Sequence, residues 1–364
     1  MKFRCERDVL VDALGIAGRA ATTRNSLPVL SGIRVELEGD RLSATGSDLD
    51  RLTITRATQV AGLEDGTAVL PAKLAVDIVR SFEPGAVTVE TTGEGSVVSG
   101  GRSTFTLPAM AADEYPTPRV TTGESVTLPA AELAEGLRQV VRAASRDDTR
   151  RMLTGVLMTA ESDSLRLVST DSYRLAVRDL PRTDALREGQ RVLVPWQALD
   201  EVGRLLDGGD EVTLVLGEHD VAFDLQDLRV STRLIEDDFP DYAKLIPDTS
   251  PESLIVSRQA FIDALKRVKL VALEHTPVRL ELRSDFLRLG IKSSEVGSAE
   301  EEVDAKYSGP ELEVAFNPEY LLQGLEVTTG DEVMLETDNP SKPAMLRSVE
   351  RSDFLYLLMP VRVS

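Results

Sequence analysis

A chain of 364 residues is long for one ordinary domain and points to two or three. Its composition, 42% hydrophobic and 28% charged, is globular and leaves no room for a disordered or low-complexity chain. A formal net charge of −20 argues against tight binding of nucleic acid by the surface as a whole, and a single cysteine, Cys5, excludes an internal disulfide and a cysteine-rich zinc site.

The opening residues, MKFRCERDVLVDALGIAGRA, are charged from position 2 and interrupted by Asp8, Asp12 and Arg19, so they do not read as a secretory signal. No apolar run approaches a membrane span, and a cytoplasmic protein is expected. A short strand around Cys5 leads into a helix over 7–20 with Leu10, Leu14 and Ala17 on one side. The strand IRVELE (33–38) follows, then the phrase GSDLDRLTI (46–54), a helix over 72–82 opened by Pro71, and the strand VTVE (87–90). TTGEGSVVSGG (91–101) lacks the dinucleotide-binding spacing and reads as a hairpin.

The order then repeats. A helix over 130–146 carries Leu133, Leu137, Val140, Val141 and Ala144 on one face, followed by strand LRLVS (165–169), a helix over 196–206 after Pro195, and strand VTLVL (212–216). A third round has a helix over 257–270 with Phe261, Leu265, Val268 and Ala272, strand VRLEL (278–282), a helix over 318–327 after Asn317–Pro318, and strand VMLE (333–336). The end, FLYLLMPVRVS, reads as a last strand over 354–358 with a sticky tail.

Three phrases recur in register. GSDLDRLTI returns as STDSYRLAV (169–177). VLPAKLAVDIV (69–79) returns as LVPWQALDEV (193–202) and AFNPEYLLQGL (315–325). ADEYP (112–116) returns as DDFPDY (237–242) and LLMPVR (357–362). The spacing is domain-sized, too long for a solenoid. The Pro/Thr/Ser-rich stretches TPRVTTGES (117–125) and PDTSPES (247–253) mark the joints, giving three α+β domains at 1–120, 121–250 and 251–364, each with two helices on antiparallel sheets.

Counted on the sequence, the six helical stretches together are close to neutral, so the acid resides on strands and loops. Arg138, Arg142 and Arg146 share one helix, and Lys266, Arg267 and Lys269 another. Such runs are ordinarily solvated faces. The sharper alternative is a helical surface facing a polyanion. Catalytic chemistry finds no support: His219 and His275 have no metal-ligand spacing, Cys5 reads as a small buried residue, and no phosphate-binding loop occurs. Asp48/Asp50 and Asp237/Asp238 read as turn residues before they read as Mg²⁺ ligands. The echo of Asp171–Arg174 at Asp48–Arg51 points to shared structure rather than a catalytic pair.

LPVLSGIRVE (27–36), TGSDLDRL (45–52), LVSTDSYRLA (167–176), DDFPDY, AFNPEYLL (315–322), NPSKPAML (339–346) and LLMPVR, in this order over the full length, resemble the beta subunit of bacterial DNA polymerase III, the sliding clamp. The resemblance implies a non-catalytic processivity factor without a cofactor. It implies a head-to-tail homodimer closing a pseudo-sixfold ring around double-stranded DNA, with helices lining the hole. Partners implied are the replicative polymerase subunit, an ATP-driven clamp loader, and repair polymerases and ligase-type clients docking through QLxLF-like peptides.

The positions matching the family's peptide pocket are Leu153, Thr170, Ser172, Tyr173, Arg174, Leu175, Pro240, Lys244, Leu245, Pro340, Met359, Pro360, Val361 and Arg362. Ser172–Tyr173 replaces a Gly–His pair common in the family, so a different peptide preference is expected. Positions matching DNA contacts are Arg24, Lys73, Arg150 and Arg151; helix charge adds Arg138, Arg142, Lys266 and Lys269. Phe105 and Leu107 facing Leu270 and Val271 are candidates for the dimer interface or for ordinary core. An enzyme with a site between domains lacks the residues for it. An elongated array of adhesion modules lacks a signal and disulfides.

Overall fold

The computed structural model of the chain describes residues 1–23, 27–161, 164–181, 186, 189–206, 209–246 and 252–362. Among these, six α-helices form: α1 (Arg7–Ala17), α2 (Ala72–Ser81), α3 (Ala130–Val140), α4 (Trp196–Leu205), α5 (Arg258–Val268) and α6 (Pro318–Val327). Each falls on an expected stretch. The proline signals act as helix starts: α2 and α4 begin directly after Pro71 and Pro195. In α6 the Asn317 side chain accepts from the backbone N–H of Glu319 and Tyr320, with Pro318 at the first helical position.

Three helices stop two or more residues short of expectation, α1 at Ala17 rather than at position 20, and α3 and α5 as follows. Helix α3 ends at Val140 and continues only as a 3₁₀ turn over Val141–Ala143, with the Ser169 hydroxyl donating to the Val140 carbonyl. Arg146 then leaves the helix face and lies over the Trp196 ring, 3.2 Å from its centroid. The expected row Arg138, Arg142, Arg146 therefore breaks after Arg142. Helix α5 likewise tightens into a 3₁₀ turn over Lys269–Val271.

The described chain forms two compact units, Met1–Ala131 with Arg204–Leu234, and Glu132–Gly203 with Ile235–Ser364. The first unit holds a five-stranded and an eight-stranded antiparallel sheet. Its main core gathers Phe3, Leu10, Leu14, Ile33, Leu37, Leu42 and Val79, with α1 lying against α2. The second unit is built on a twelve-stranded antiparallel sheet. Strands alternate as their sequences demand: in Val278–Leu282 the Val, Leu and Leu side chains are buried and Arg279 is exposed.

The sheets run across the joints between repeats, so the units are not simply the repeats. Thr53–Gln59 of the first repeat pairs with Leu228–Arg233 of the second. Arg174–Pro181 of the second pairs with Phe354–Leu358 of the third. The last strand is thus interior, held on its other side by Ala344–Ser348. Tyr356, Leu357 and Leu358 are buried, and each of the two leucines contributes about 1.5–3 kcal/mol by leaving water. This accounts for the apolar ending of the chain.

Candidate functional site

Local sequence builds the same turn twice. In STDSYRLAV the Asp171 carboxylate accepts from the backbone N–H of Tyr173 and Arg174 at 2.9 and 3.1 Å, and the Thr170 hydroxyl accepts from Ser172 N–H at 3.1 Å. In GSDLDRLTI the Asp48 carboxylate accepts from Asp50, Arg51 and Leu52, and the Ser47 hydroxyl from Leu49. Both turns place a non-glycine residue in the left-handed region, Ser172 at φ 80° and Leu49 at φ 70°. The Asp–Arg echo is a turn motif: its aspartates are occupied by backbone N–H groups.

Around the second turn Arg174 is the organising residue. Its Nε donates to Asp171 at 2.9 Å, its Nη1 to the Tyr356 hydroxyl at 3.2 Å and to Gln323, and its Nη2 to the Arg142 carbonyl. Its guanidinium lies 4.3 Å from the Tyr320 ring centroid. Burial disfavours the Arg174 charge, but Tyr356 and Asp171 more than offset it and the net shift is upward. Burial also pushes the Tyr356 phenol up to about 12. These groups hold a rigid base beneath the turn.

Above this base the surface is apolar and open. Tyr173 is 59% exposed and stacks on Tyr320 with centroids 6.5 Å apart. Met359, Val361 and Leu245 are exposed nearby in the same unit. The tail is tied down: Met359 N–H donates to the Tyr173 carbonyl at 2.9 Å, and Val361 N–H to the Ala315 carbonyl at 2.8 Å. Leu175 and Leu357 share an apolar cluster with Phe239 and Tyr242, which flank Pro240; Leu245 ends the adjoining 3₁₀ turn. Because Ala344 pairs with Leu358 and Leu358 with Arg174, the turn containing Pro340 lies at the same end of the sheet. Leu153, Thr170, Arg174 and Leu175 are buried, so they shape the site from beneath; Ser172, Pro240, Lys244 and Arg362 are exposed.

Sequence reasoning missed Tyr320 and Gln323, which supply the stacking face and the Arg174 partner. Both stand in the AFNPEYLLQGL phrase. Their role depends on which face of α6 meets the turn, and spacing does not report that.

The basic candidates are mostly engaged. Arg24 lies outside the described residues. Lys73 is exposed on α2. Arg150 donates to the Asp171 carbonyl and the Ser172 hydroxyl at 3.2 and 3.3 Å, so it braces the turn. Arg151 is exposed, 4.0 Å from Asp237. Glu326 on α6 gathers Arg142 at 3.1 Å and Lys266 at 3.2 Å, while Arg138 pairs with Glu135 and Lys269 with Glu319. Such surface pairs are worth about 0–1 kcal/mol and yield readily to a competing phosphate.

Of the interface candidates, Phe105 is exposed on the edge strand Ser103–Pro108, 5.7 Å from Phe82. Leu270 is 82% exposed and Val271 half-buried. Leu107, at 1% exposure, lies in the core of its own unit, the second of the two roles open to it, although Phe105 two residues earlier on the strand is exposed. Among the described residues no group of three His, Cys, Asp or Glu could hold a metal ion, and no helix is long and apolar enough to cross a membrane.

Residues 1–119, 127–241 and 243–362 match the N-terminal, central and C-terminal domains of the DNA polymerase III beta subunit. The chain is 36% identical to the beta sliding clamp of Streptomyces coelicolor and 30% identical to that of Bacillus subtilis, in both cases over the whole of each chain. Its fold is similar to that of the DnaN sliding clamp of Bartonella birtlesii bound to griselimycin (TM-score 0.95, 30% identity, both chains fully covered). The Bacillus subtilis DNA polymerase sliding clamp is similar at a TM-score of 0.92 and 30% identity, again over both full chains.

Proposed function

The chain belongs to the DNA polymerase III beta subunit family and is a DNA sliding clamp of replication, a non-catalytic processivity factor; from this premise we propose how its parts serve clients and DNA. Client proteins dock a short QLxLF-like peptide on the surface of Tyr173, Tyr320, Met359 and Val361, with Pro240, Leu245 and Pro340 around it. The observation that carries this reading is the clasp of the tail: Met359 is hydrogen-bonded to the Tyr173 turn, so the two apolar side chains form one preorganised surface. Flexible Met359 suits varied partners. The clients are the replicative polymerase, the clamp loader, and repair and ligase-type proteins.

Three domains, 1–120, 121–250 and 251–364, from each of two protomers close a head-to-tail ring, with Phe105, Leu270 and Val271 at the joint. Duplex DNA is held by topology. Arg24, Lys73, Arg150, Arg151, Arg138, Arg142, Lys266 and Lys269 make weak phosphate contacts without reading bases, and the net charge of −20 keeps affinity low enough for sliding. The site of action is the cytoplasm.

The test is a titration of a fluorescent QLxLF-type peptide against the full chain and against one ending at Leu358. Binding by the full chain and its loss on truncation supports the docking site. Undiminished binding by the shortened chain removes the tail from it, and absence of binding by both refutes the peptide reading.

A further inference from the structure

The duplicated turn has a duplicated hollow. Beside the first turn lies a cavity of about 260 Å³, lined in part by Leu49, Leu52, Pro116 and Pro118 with Arg119 and Arg233. Its construction parallels the Tyr173 site. The left-handed residue Leu49 stands where Ser172 stands, and Pro116 of ADEYP where Pro240 of DDFPDY stands. Thr53 pairs with Ser231 on the last strand of the second repeat, as its counterpart Ala176 pairs with Tyr356 on the last strand of the third. What differs is the lining. The Tyr173 site is aromatic and thioether-rich, whereas here an aliphatic half adjoins two guanidinium groups, Arg119 and Arg233, and two carboxylates, Asp50 and Asp220.

The two carboxylates of the cavity each have a partner other than Arg119. Asp220 accepts from the Thr121 hydroxyl at 3.1 Å, and Asp50 lies 3.8 Å from Arg233. Arg119 is exposed and has no hydrogen-bond or ion-pair partner among the described residues. Leu49 remains 37% exposed on a backbone conformation that leucine rarely adopts. A cation in want of a carboxylate thus stands beside an exposed aliphatic side chain.

We propose that this cavity is a second docking site, which takes an extended peptide segment carrying one carboxylate side chain next to an aliphatic one. The carboxylate pairs with Arg119, and the aliphatic group covers Leu49 between Pro116 and Pro118. The choice of a peptide rests on the peptide reading of the Tyr173 site, to which this cavity is related by the repeat. Recognition of a carboxylate rather than a glutamine would let one clamp subunit hold two different client segments at once.

The experiment uses the full-length protein and the fluorescein-labelled peptide Gly-Leu-Glu-Leu-Gly, with the Tyr173 site blocked by saturating unlabelled QLxLF-type peptide. Saturable binding is expected under the block. Arg119→Glu should weaken it about tenfold, a loss typical of one charge-assisted contact, and leave thermal stability unchanged. Leu49→Asn, which keeps the left-handed backbone but removes the aliphatic group, should weaken it about fivefold. Displacement of the probe by the QLxLF-type peptide, equal affinity in Arg119→Glu, or complete displacement by inorganic phosphate would each overturn the proposal. Direct titration of labelled QLxLF-type peptide reports on the Tyr173 site separately, so failure of one reading is distinguishable from failure of the other.

Discussion

Replacing Arg174 by methionine removes the residue on which the Tyr173 turn rests. The side chains of Arg174 and Asp171 are 8% and 9% exposed, so the variant strands a carboxylate away from water. Loss of one partner of a buried pair costs about 3–5 kcal/mol. The low end applies, because Asp171 keeps two backbone N–H donors, Tyr356 still donates to the Tyr320 carbonyl and Gln323 still donates to Glu319. About 3 kcal/mol is therefore expected, or a fall of about 1 M in urea midpoint. Trp196, the sole tryptophan, lies in the same unit and reports that unit's unfolding by fluorescence. Adding Asp171→Asn removes the stranded charge and should recover about 1–2 kcal/mol. A loss below about 1 kcal/mol, or strictly additive single and double variants, would refute the assignment of Arg174 as the buried centre of the site.

Gly324 sits where an added Cβ would lie 2.6 Å from the Tyr356 ring, so Gly324→Ala should cost about 1–3 kcal/mol and weaken client peptide in the same titration. Ser172→Gly relieves a left-handed residue worth about 1–2 kcal/mol but loses the 3.3 Å contact with Arg150 and adds chain entropy; thermal unfolding should show a change within about 1 kcal/mol, and a large destabilisation would show that the hydroxyl, not the backbone, sets the turn. Glu326→Gln frees Arg142 and Lys266, so duplex binding should strengthen and its salt dependence steepen by about one to two phosphate contacts; unchanged salt dependence would remove these helices from the DNA path. Tyr173→His should change peptide affinity, and identical binding would show that the Ser172–Tyr173 pair does not tune specificity.

The repeats, the helix positions and the last strand were legible because each leaves a local mark: a proline before α2 and α4, a capping asparagine before α6, strict alternation in VRLEL, an apolar run in FLYLL. The turn motif was legible as an echo, and its chemistry became clear once the aspartates were seen holding backbone N–H groups. What was not legible depends on pairing between distant segments. Nothing local says that Thr53–Gln59 joins Leu228–Arg233, and so the packing units differ from the repeats. The Glu326 bridge to Arg142 beyond α3 and to Lys266 of α5, the end of α3 at Val140 and the burial of Leu107 follow from such tertiary partners.

The most direct measurement loads the protein, with its clamp loader and ATP, onto nicked circular duplex DNA and then cuts the circle, following protein that co-elutes with DNA by gel filtration. Clamp action by a closed ring predicts retention on the circle that resists salt, and release once ends are made. Equal retention on circular and linear DNA, with the same sensitivity to salt on both, would show that charge rather than topology holds it there.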